Sequence, residues 1–250
     1  MHFKSGADSM TTPKYLTDTY LEEFTAKITK VIEMDDSVAV YCDDTIFYPQ
    51  GGGQPCDLGI IVIDGCTYQV HHTETTEDGI AHVLESHPLL LTCTGKLCIQ
   101  RIDIQRRLFN AKSHTAGHLI SHLFEELDSN LSPAKGHHYP DDAYIELIES
   151  ERTNDTFSVA LINEQIDALV DKTPRPIQSI ELDLAEVQSL RPLLSKFIPQ
   201  STHIRMIAID GFTPVPCGGT HVSSTSELKG LRVTRIKRKK DRIKVSYLIN

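Results

Sequence analysis

Short apolar runs separated by turn residues fill the first hundred residues of the chain. Between about residues 24 and 102 they read FTAKITKVIEM, SVAVYC, LGIIVIDGCTYQVHH, IAHVLES and GKLCIQRI, with Gly and Asp clustered between them. Runs of this length, rich in β-branched residues, are typical of strands. The pattern predicts a small β-barrel or sandwich, and we assign residues 10–104 to a β-barrel-like domain.

The period of the apolar positions changes near residue 104. Apolar residues then recur with the spacing of one helix face, at Ile104, Leu108, Ala111, Ala116, Leu119 and Leu123. This stripe predicts a long helix from near Asp103 to Leu127.

Mixed elements follow this helix. A hairpin-like segment (AKGHHYPDDAYIELIES), a helix (FSVALINEQIDALVDK), a short helix near LAEVQSL and a strand (HIRMIAID) come first. Two strands, LKGLRVTRI and RIKVSYLI, then appear on either side of a predicted basic turn, KRKKD. We assign residues 105–250 to a second domain, of the α+β class.

The composition fits a globular protein of one large domain or two modest ones, since 40% of its 250 residues are hydrophobic. No apolar run approaches the 18 residues of a membrane span, and the start, MHFKSGADSM, lacks the apolar stretch of a signal peptide. We expect a cytoplasmic protein with no membrane contact. Met10 is a candidate natural start, so residues 1–9 are set aside from the fold prediction.

The six cysteines are spread along the chain without a C-x-x-C spacing, which does not favour a disulfide framework. Five lie in apolar or strand-like runs, where we expect small buried side chains: Cys42, Cys56, Cys66, Cys93 and Cys98. Cys217 differs, because it lies in the loop sequence VPCGGTHV.

Charge is unevenly distributed. The formal net charge is −9, but residues 222–250 hold nine Lys or Arg against Glu227 and Asp241, a local net charge of +7. The remainder therefore carries −16. An acidic body with a basic end favours local contact with a polyanion over general coating of nucleic acid, although a solvated hairpin tip would give the same pattern.

Three histidines stand four residues apart in SHTAGHLISH: His114, His118 and His122. A four-residue step places side chains on one helix face, close enough to share a metal ion, but surface histidines also occur at this spacing. About 95 residues later, CGGTH supplies Cys217 and His221. Imidazole and thiolate are the preferred ligands of zinc, and a helix pair with a loop pair completes a tetrahedral set.

The residues next to these histidines restrict which reactions such a zinc site could catalyse. HTAGH lacks the glutamate of H-E-x-x-H, which disfavours a zinc peptidase. Cleaving an activated ester is easier, and a metal-bound water of lowered pKa suffices for it. Four protein ligands are also typical of a structural zinc, so catalysis requires that one of them leaves a position for water.

Four motifs, in order, resemble those of the alanyl-tRNA synthetase editing domain and its free-standing AlaX relatives. They are FYPQGGGQPCDLG (Phe47–Gly59), HTAGHLI, KGHHYPD and PCGGTHV, and the resemblance covers the chain from about residue 14 onward. It implies a stand-alone editing protein, without an adenylating domain, that hydrolyses tRNA(Ala) wrongly charged with serine, with glycine as a second candidate, and spares alanine.

The resemblance also implies roles for individual residues. His114, His118, Cys217 and His221 fall on the family's zinc positions and imply one zinc ion per chain, with the catalytic water held by His114, His118 and Cys217. His122 falls on none of these positions, and we interpret it as a surface or packing residue.

Substrate contacts are less defined by the motifs. Candidates near the aminoacyl group are Gln54, Gly52, Lys135, His137 and Gly218, with His138 as a further candidate for sensing the serine hydroxyl. Each is also compatible with an ordinary surface or loop position. The glycines of GGGQ exceed what a turn usually needs, which favours close approach to another backbone or to substrate.

The basic segment is the candidate tRNA contact, through Lys237, Arg238, Lys239 and Lys240. No DNA partner is expected. Two alternatives to an aminoacyl-tRNA hydrolase remain open: a non-catalytic tRNA-binding module with a structural zinc, and a zinc-dependent hydrolase of another small ester.

Overall fold

The computed structural model describes residues 11–151, 157–191 and 203–250 and divides the chain into two compact units, Met1–Phe109 and Asn110–Asn250. Residues 1–9 and the candidate start Met10 lie outside the described residues. Mixed strands and helices confirm the α+β class. Among the described residues, no helix is long and apolar enough to cross a membrane.

The first unit is built on a closed barrel, so the barrel alternative of the sequence prediction is confirmed. The strands of the first unit, two of which lie outside the barrel, are β1 (Thr12–Pro13), β2 (Glu23–Glu33), β3 (Ser37–Cys42), β4 (Asp44–Thr45), β5 (Gly59–Ile63), β6 (Cys66–Thr76), β7 (Gly79–Glu85) and β8 (Leu97–Ile102). The barrel runs in the order β2-β3-β7-β6-β5-β8 and closes through the pairing of β8 with β2.

One predicted run is in fact two strands. LGIIVIDGCTYQVHH turns back on itself at Asp64 and Gly65, which have φ of 50° and 81°. An Asp-Gly pair with both residues at positive φ is the usual two-residue hairpin connection. Cys66 begins β6 directly after this turn and is exposed, so the prediction that it is buried was wrong, whereas Cys42, Cys56, Cys93 and Cys98 are buried.

Buried polar side chains hold the segment that leads into the glycine motif. The Nδ1–H of His82 donates to the carbonyl of Val40, so its Nε2 accepts from the hydroxyl of Thr45 at 2.7 Å. Thr45 Oγ1 in turn accepts from the N–H of Phe47. Burial lowers the pKa of His82 to about 4, so the ring is neutral in this arrangement near pH 7.

A buried ion pair joins the two ends of the segment that contains the glycine motif. Arg107 and Asp57 are both fully buried, with Nε of Arg107 2.9 Å from Oδ2 of Asp57. Arg107 also donates to the carbonyls of Ile46 and Thr19, and Asp57 accepts from the N–H of Tyr48. The segment from Ile46 to Asp57 is therefore tied at both ends to one guanidinium.

Arg107 lies on the first turn of α1 (Ile104–Leu127), which confirms the predicted long helix. The side chain of Asp103 accepts from the N–H of Arg106 and so caps the N-terminus.

Within its described residues, the second unit contains two sheets and two α-helices shorter than α1. The elements are β9 (Leu131–His137), β10 (Tyr144–Glu149), α2 (Val159–Asp167), α3 (Leu184–Leu190), β11 (Ile177–Leu182), β12 (Ile204–Ile209), β13 (Val215–Pro216), β14 (Leu231–Lys239) and β15 (Arg242–Ile249). The sheet order is β14-β15-β10-β9, and β11, β12 and β13 form the other sheet. A shared core from α1, α2 and both sheets includes Leu119, Leu147, Ile162, Ile207 and Val245.

The segment KRKKD is mostly strand rather than turn, which corrects the sequence prediction. β14 extends through Lys239, and only Lys240, with φ of 57°, and Asp241 form the connection. The strand continues because Lys237, Arg238 and Lys239 pair in register with Lys244, Ile243 and Arg242.

We predict that Asp57→Ala lowers the free energy of unfolding by about 3–5 kcal/mol, because it leaves a buried guanidinium without its counter-ion. Urea unfolding followed by circular dichroism measures this loss. Glu23→Ala is the matched control, since it removes the partner of Arg101 from a half-exposed pair and should cost less than about 1 kcal/mol. Equal losses in the two variants would contradict a stabilising role for the buried pair.

A second prediction concerns His82. Between pH 6.5 and about 4 the unfolded chain binds a proton at this residue that the folded chain does not, so stability falls as the pH is lowered through this range. His82→Gln should make the pH dependence of unfolding shallower, by up to about 1.4 kcal/mol per pH unit. Identical pH slopes for the parent and variant proteins would refute this assignment.

Candidate metal centre

Two histidines of α1 meet two residues of the loop that follows β13. His114 and His118 lie one turn apart with ring centroids 5.1 Å from each other. Cys217 Sγ lies 3.4 Å from His114 Nε2 and 3.2 Å from His221 Nε2. The candidate ligand atoms of these four side chains all lie within 4.8 Å of one another, so the structure brings together the set predicted from the sequence.

The ring of His221 is oriented by Thr115. The Thr115 hydroxyl donates to the carbonyl of Ala111 at 2.7 Å, so towards His221 it acts as an acceptor. His221 therefore donates from Nδ1, which leaves a lone pair on Nε2, the atom that faces Cys217. A fixed tautomer of this kind is typical of metal-ligating histidines, whose second nitrogen is held by the protein.

The cluster favours neutral imidazoles. Burial lowers the pKa of His114, His118 and His221 well below the usual value, and neighbouring imidazoles lower it further. Burial also raises the pKa of the Cys217 thiol, against the smaller effect of the Gly219 N–H, which donates to Sγ. Neutral rings keep their lone pairs, and a bound cation would supply the charge that stabilises the thiolate.

The polar atoms of the cluster fit a metal ion. Nδ1 of His118 is buried and has no hydrogen-bond partner within the part of the chain that the structure describes. Two imidazoles from one helix turn, a thiolate and a third imidazole form a donor set suited to zinc. His114 and His221 are buried, whereas His118 and Cys217 are partly exposed.

Arg205 shapes the loop that carries Cys217. Its guanidinium donates to the carbonyls of Cys217 and Gly219, and the N–H of Cys217 donates to the carbonyl of Arg205. Sequence reasoning missed both Arg205 and Thr115. Thr115 lies inside HTAGH, where its position between the two histidines was the available signal, but Arg205 stands in a β-strand with nothing local to mark it.

His138 adjoins the cluster without belonging to it. Its ring stacks on that of His114 with centroids 4.3 Å apart, and its Nδ1 donates to Tyr247, whose hydroxyl donates to the carbonyl of Ser113. Two glycines make room for this ring. A Cβ added at Gly117 would lie 2.4 Å from Cε1 of His138, and one added at Gly136 would lie 2.3 Å from Nε2.

His122, the third histidine of the triplet, is a packing residue as predicted. It is buried, stacks on Phe212 at 5.0 Å and contacts the carboxylate of Glu125 at 3.2 Å.

Three substrate candidates lie in the second unit. Lys135 is exposed, with Nζ 5.6 Å from the ring centre of Tyr144, and His137 stacks on Tyr139 and Tyr144. A Cβ at Gly218 would meet no atom within 4 Å, so the chain itself does not require glycine there. Their proposed contacts with substrate stay predictions.

Gly52 and Gln54 belong to the first unit. Gly52 and Gly53 have φ of 55° and 79° and connect Gly51 to Gln54, which pair by backbone hydrogen bonds. A tight turn with two consecutive positive φ values thus accounts for two of the three glycines. Gln54 is fully buried. Contact of either residue with substrate stays a prediction.

The four predicted tRNA contacts differ in their surroundings. Lys237, Lys239 and Lys240 are exposed. Arg238 instead lies 3.2 Å from the buried carboxylate of Glu149 and over the ring of Phe157. Neutralising Arg238 would break a buried contact, so the three lysines are the better probes of RNA binding.

We predict that Gly117→Ala loosens the metal centre, because the new methyl group displaces His138 and with it the ring stacked on His114. It should lower stability by about 1–3 kcal/mol, even though alanine favours helix by up to about 1 kcal/mol. Metal retention during dialysis against a weak chelator should also fall. The control is Gly218→Ala, whose methyl group enters open space. Equal metal retention in both variants would contradict the role of His138.

Two known families match parts of the chain. Residues 11–106 match the family described as tRNA synthetases class II (A), and residues 204–244 match the one described as Threonyl and Alanyl tRNA synthetase second additional domain. The second match includes Cys217 and His221.

Individual relatives cover more of the chain. The alanyl-tRNA editing protein AlaX-M of Methanosarcina barkeri is 29% identical over 237 residues, which are 92% of this chain and 95% of that protein. AlaX-M of Methanosarcina acetivorans is 28% identical over 239 residues. The alanine–tRNA ligase of Sulfurisphaera tokodaii is 31% identical over 243 residues, but these are only 25% of that enzyme. The chain is thus a relative of the AlaX alanyl-tRNA editing proteins, which confirms the resemblance predicted from its four motifs.

Proposed function

We propose that this protein hydrolyses the aminoacyl ester of tRNA(Ala) mischarged with serine, with glycine as a second substrate, at one zinc ion held by His114, His118, Cys217 and His221. The observation that carries the proposal is the convergence of these four donors in a chain that aligns with 95% of an alanyl-tRNA editing protein. A cytoplasmic location, where such substrates are met, is part of the proposal.

The residues of the chain would divide the work as follows. A zinc ion at this cluster would supply Lewis acidity if three of the four donors held it and the fourth left a position open. Thr115 holds His221 in the tautomer that presents Nε2, and Arg205 and the Gly219 N–H hold Cys217. The partly exposed side, at His118 and Cys217, is where an ester could approach. Gly218 beside it leaves open space that an aminoacyl group could enter.

A second candidate function is a tRNA-binding module with a structural zinc. Four donors within 4.8 Å favour it, because a complete tetrahedral set leaves no position for substrate. The two functions differ in what loss of the metal does to the fold and in whether an ester is cleaved.

We predict that the purified protein contains about one zinc ion per chain and that it hydrolyses Ser-tRNA(Ala) but not Ala-tRNA(Ala). Chelation should abolish the activity, and His118→Ala should lose zinc and activity together while circular dichroism stays unchanged. Release of labelled serine and metal analysis by mass spectrometry measure both effects. The control is His122→Gln, one turn further along α1, which should retain both.

Other outcomes separate the alternatives. Active His118→Ala protein without metal would refute a catalytic zinc. Unfolding on chelation, with no hydrolysis by the parent protein, would favour the structural module. Equal cleavage of a simple serine ester and Ser-tRNA(Ala) would indicate a hydrolase of small esters.

A further inference from the structure

The solvent face of the sheet β14-β15-β10-β9 concentrates positive charge in a way that the linear sequence does not show. Ile243, Val245 and Tyr247 of β15 are buried in the core. The alternate residues of β15 therefore lie on the other side of the sheet, together with the residues that pair with them.

The strand register identifies the members of this face. Arg242, Lys244 and Ser246 pair with Lys239, Lys237 and Arg235 of β14. On the other side they pair with Ile148, Glu146 and Tyr144 of β10, which in turn pair with Ser132, Lys135 and His137 of β9. We call this set of outward residues the basic face. Its cations are Lys135, Arg235, Lys237, Lys239, Arg242 and Lys244.

Like charges stand directly opposite each other on the basic face. Lys237 pairs with Lys244, and Lys239 pairs with Arg242. Directly opposed like charges destabilise a sheet. Within this register-defined set, Glu146 is the acidic member, and it contacts Arg242 at 3.1 Å. The set therefore has a net charge of about +5, in a chain whose net charge is −9.

The ammonium group of Lys244 on the basic face packs against an aromatic ring. Nζ of Lys244 lies 3.4 Å from the ring centre of Tyr144, and the same ring is stacked with His137. Such a cation–π contact fixes the position of the charge while leaving it available to an anion. Two aliphatic residues lie on this side of the sheet, Ile148 and Leu248, and both are only partly exposed, so the face has few of the apolar anchors that a membrane surface would need.

The basic face also adjoins the metal centre. His137 points outward on β9, and the next residue, His138, stacks on His114 of the cluster. His137 and His138 point to opposite sides of the sheet, so β9 alone separates the basic face from the residues that pack on the candidate metal centre.

We propose that the basic face binds the sugar–phosphate backbone of RNA, so that Lys135 and Lys244 act together with Lys237 and Lys239 although they come from different strands. The proposal rests on the proposed function for the identity of the RNA, which would be the acceptor end of tRNA. It replaces a contact confined to the β14–β15 connection with one spread across the sheet. The repulsion between opposed cations, which destabilises the sheet, would accompany a surface suited to binding phosphates.

Uncharged tRNA tests this surface, because its binding requires no hydrolysis. The double variant Lys237→Gln/Lys244→Gln removes one opposed pair, and Lys172→Gln/Lys229→Gln removes two exposed cations outside the basic face. Affinity is measured at several salt concentrations. The face variant should bind about tenfold more weakly, and the slope of log affinity against log salt should fall by about 1–2, since two fewer phosphates are neutralised. The control should match the parent protein.

Stability supplies a second readout. The face variant should melt no lower than the parent protein, because the opposed charges are gone. Unchanged affinity and salt slope, or an equal loss in the control, would overturn the proposal. So would loss of binding to anionic phospholipid vesicles with tRNA binding intact, which would assign the face to a membrane. Hydrolysis of Ser-tRNA(Ala) by the parent protein, measured separately, tests the proposed function without any change to the basic face.

Discussion

The buried ion pair between Arg107 and Asp57 is the interaction on which the geometry of the glycine motif depends. A guanidinium removed from water must have its donors satisfied, and here they go to Asp57 and to the carbonyls of Ile46 and Thr19. This requirement fixes the path of the glycine motif, whose Tyr48 N–H also reaches Asp57. Arg107 sits on the first turn of α1, the same helix that later presents His114 and His118.

Around the candidate metal centre, too, hydrogen bonds fix the donor and acceptor roles of neighbouring side chains and leave selected ring nitrogens available to an ion. Thr115 uses its single proton on Ala111, and so it can only accept from His221. Tyr247 uses its proton on Ser113, and so it can only accept from His138. Each hydroxyl sets the tautomer of the neighbouring ring. Atoms left available, such as Nε2 of His221, are then oriented before any ion arrives, which reduces the rearrangement that binding requires.

Positive and negative charges are concentrated in different parts of the chain. Residues 1–221 carry a net charge of −16, whereas five of the six cations of the basic face lie on β14 and β15. Arg238 shows that sequence neighbours need not share a role. It lies between Lys237 and Lys239 on β14, but the alternation of the strand sends it to the other side, where it meets Glu149.

The sequence by itself predicted a barrel or sandwich, α1, and the four residues of the candidate metal centre, because periodicity and ligand spacing are local properties of a linear sequence. It did not place Thr115, Arg205 or His138 around them, nor show that Gly117 and Gly136 are small to admit one imidazole ring. It predicted a basic turn where the structure has a strand, and buried Cys66 where the structure exposes it. These features were decided by tertiary structure, since cross-strand register and packing join residues such as Lys135 and Lys244 that lie far apart in the chain.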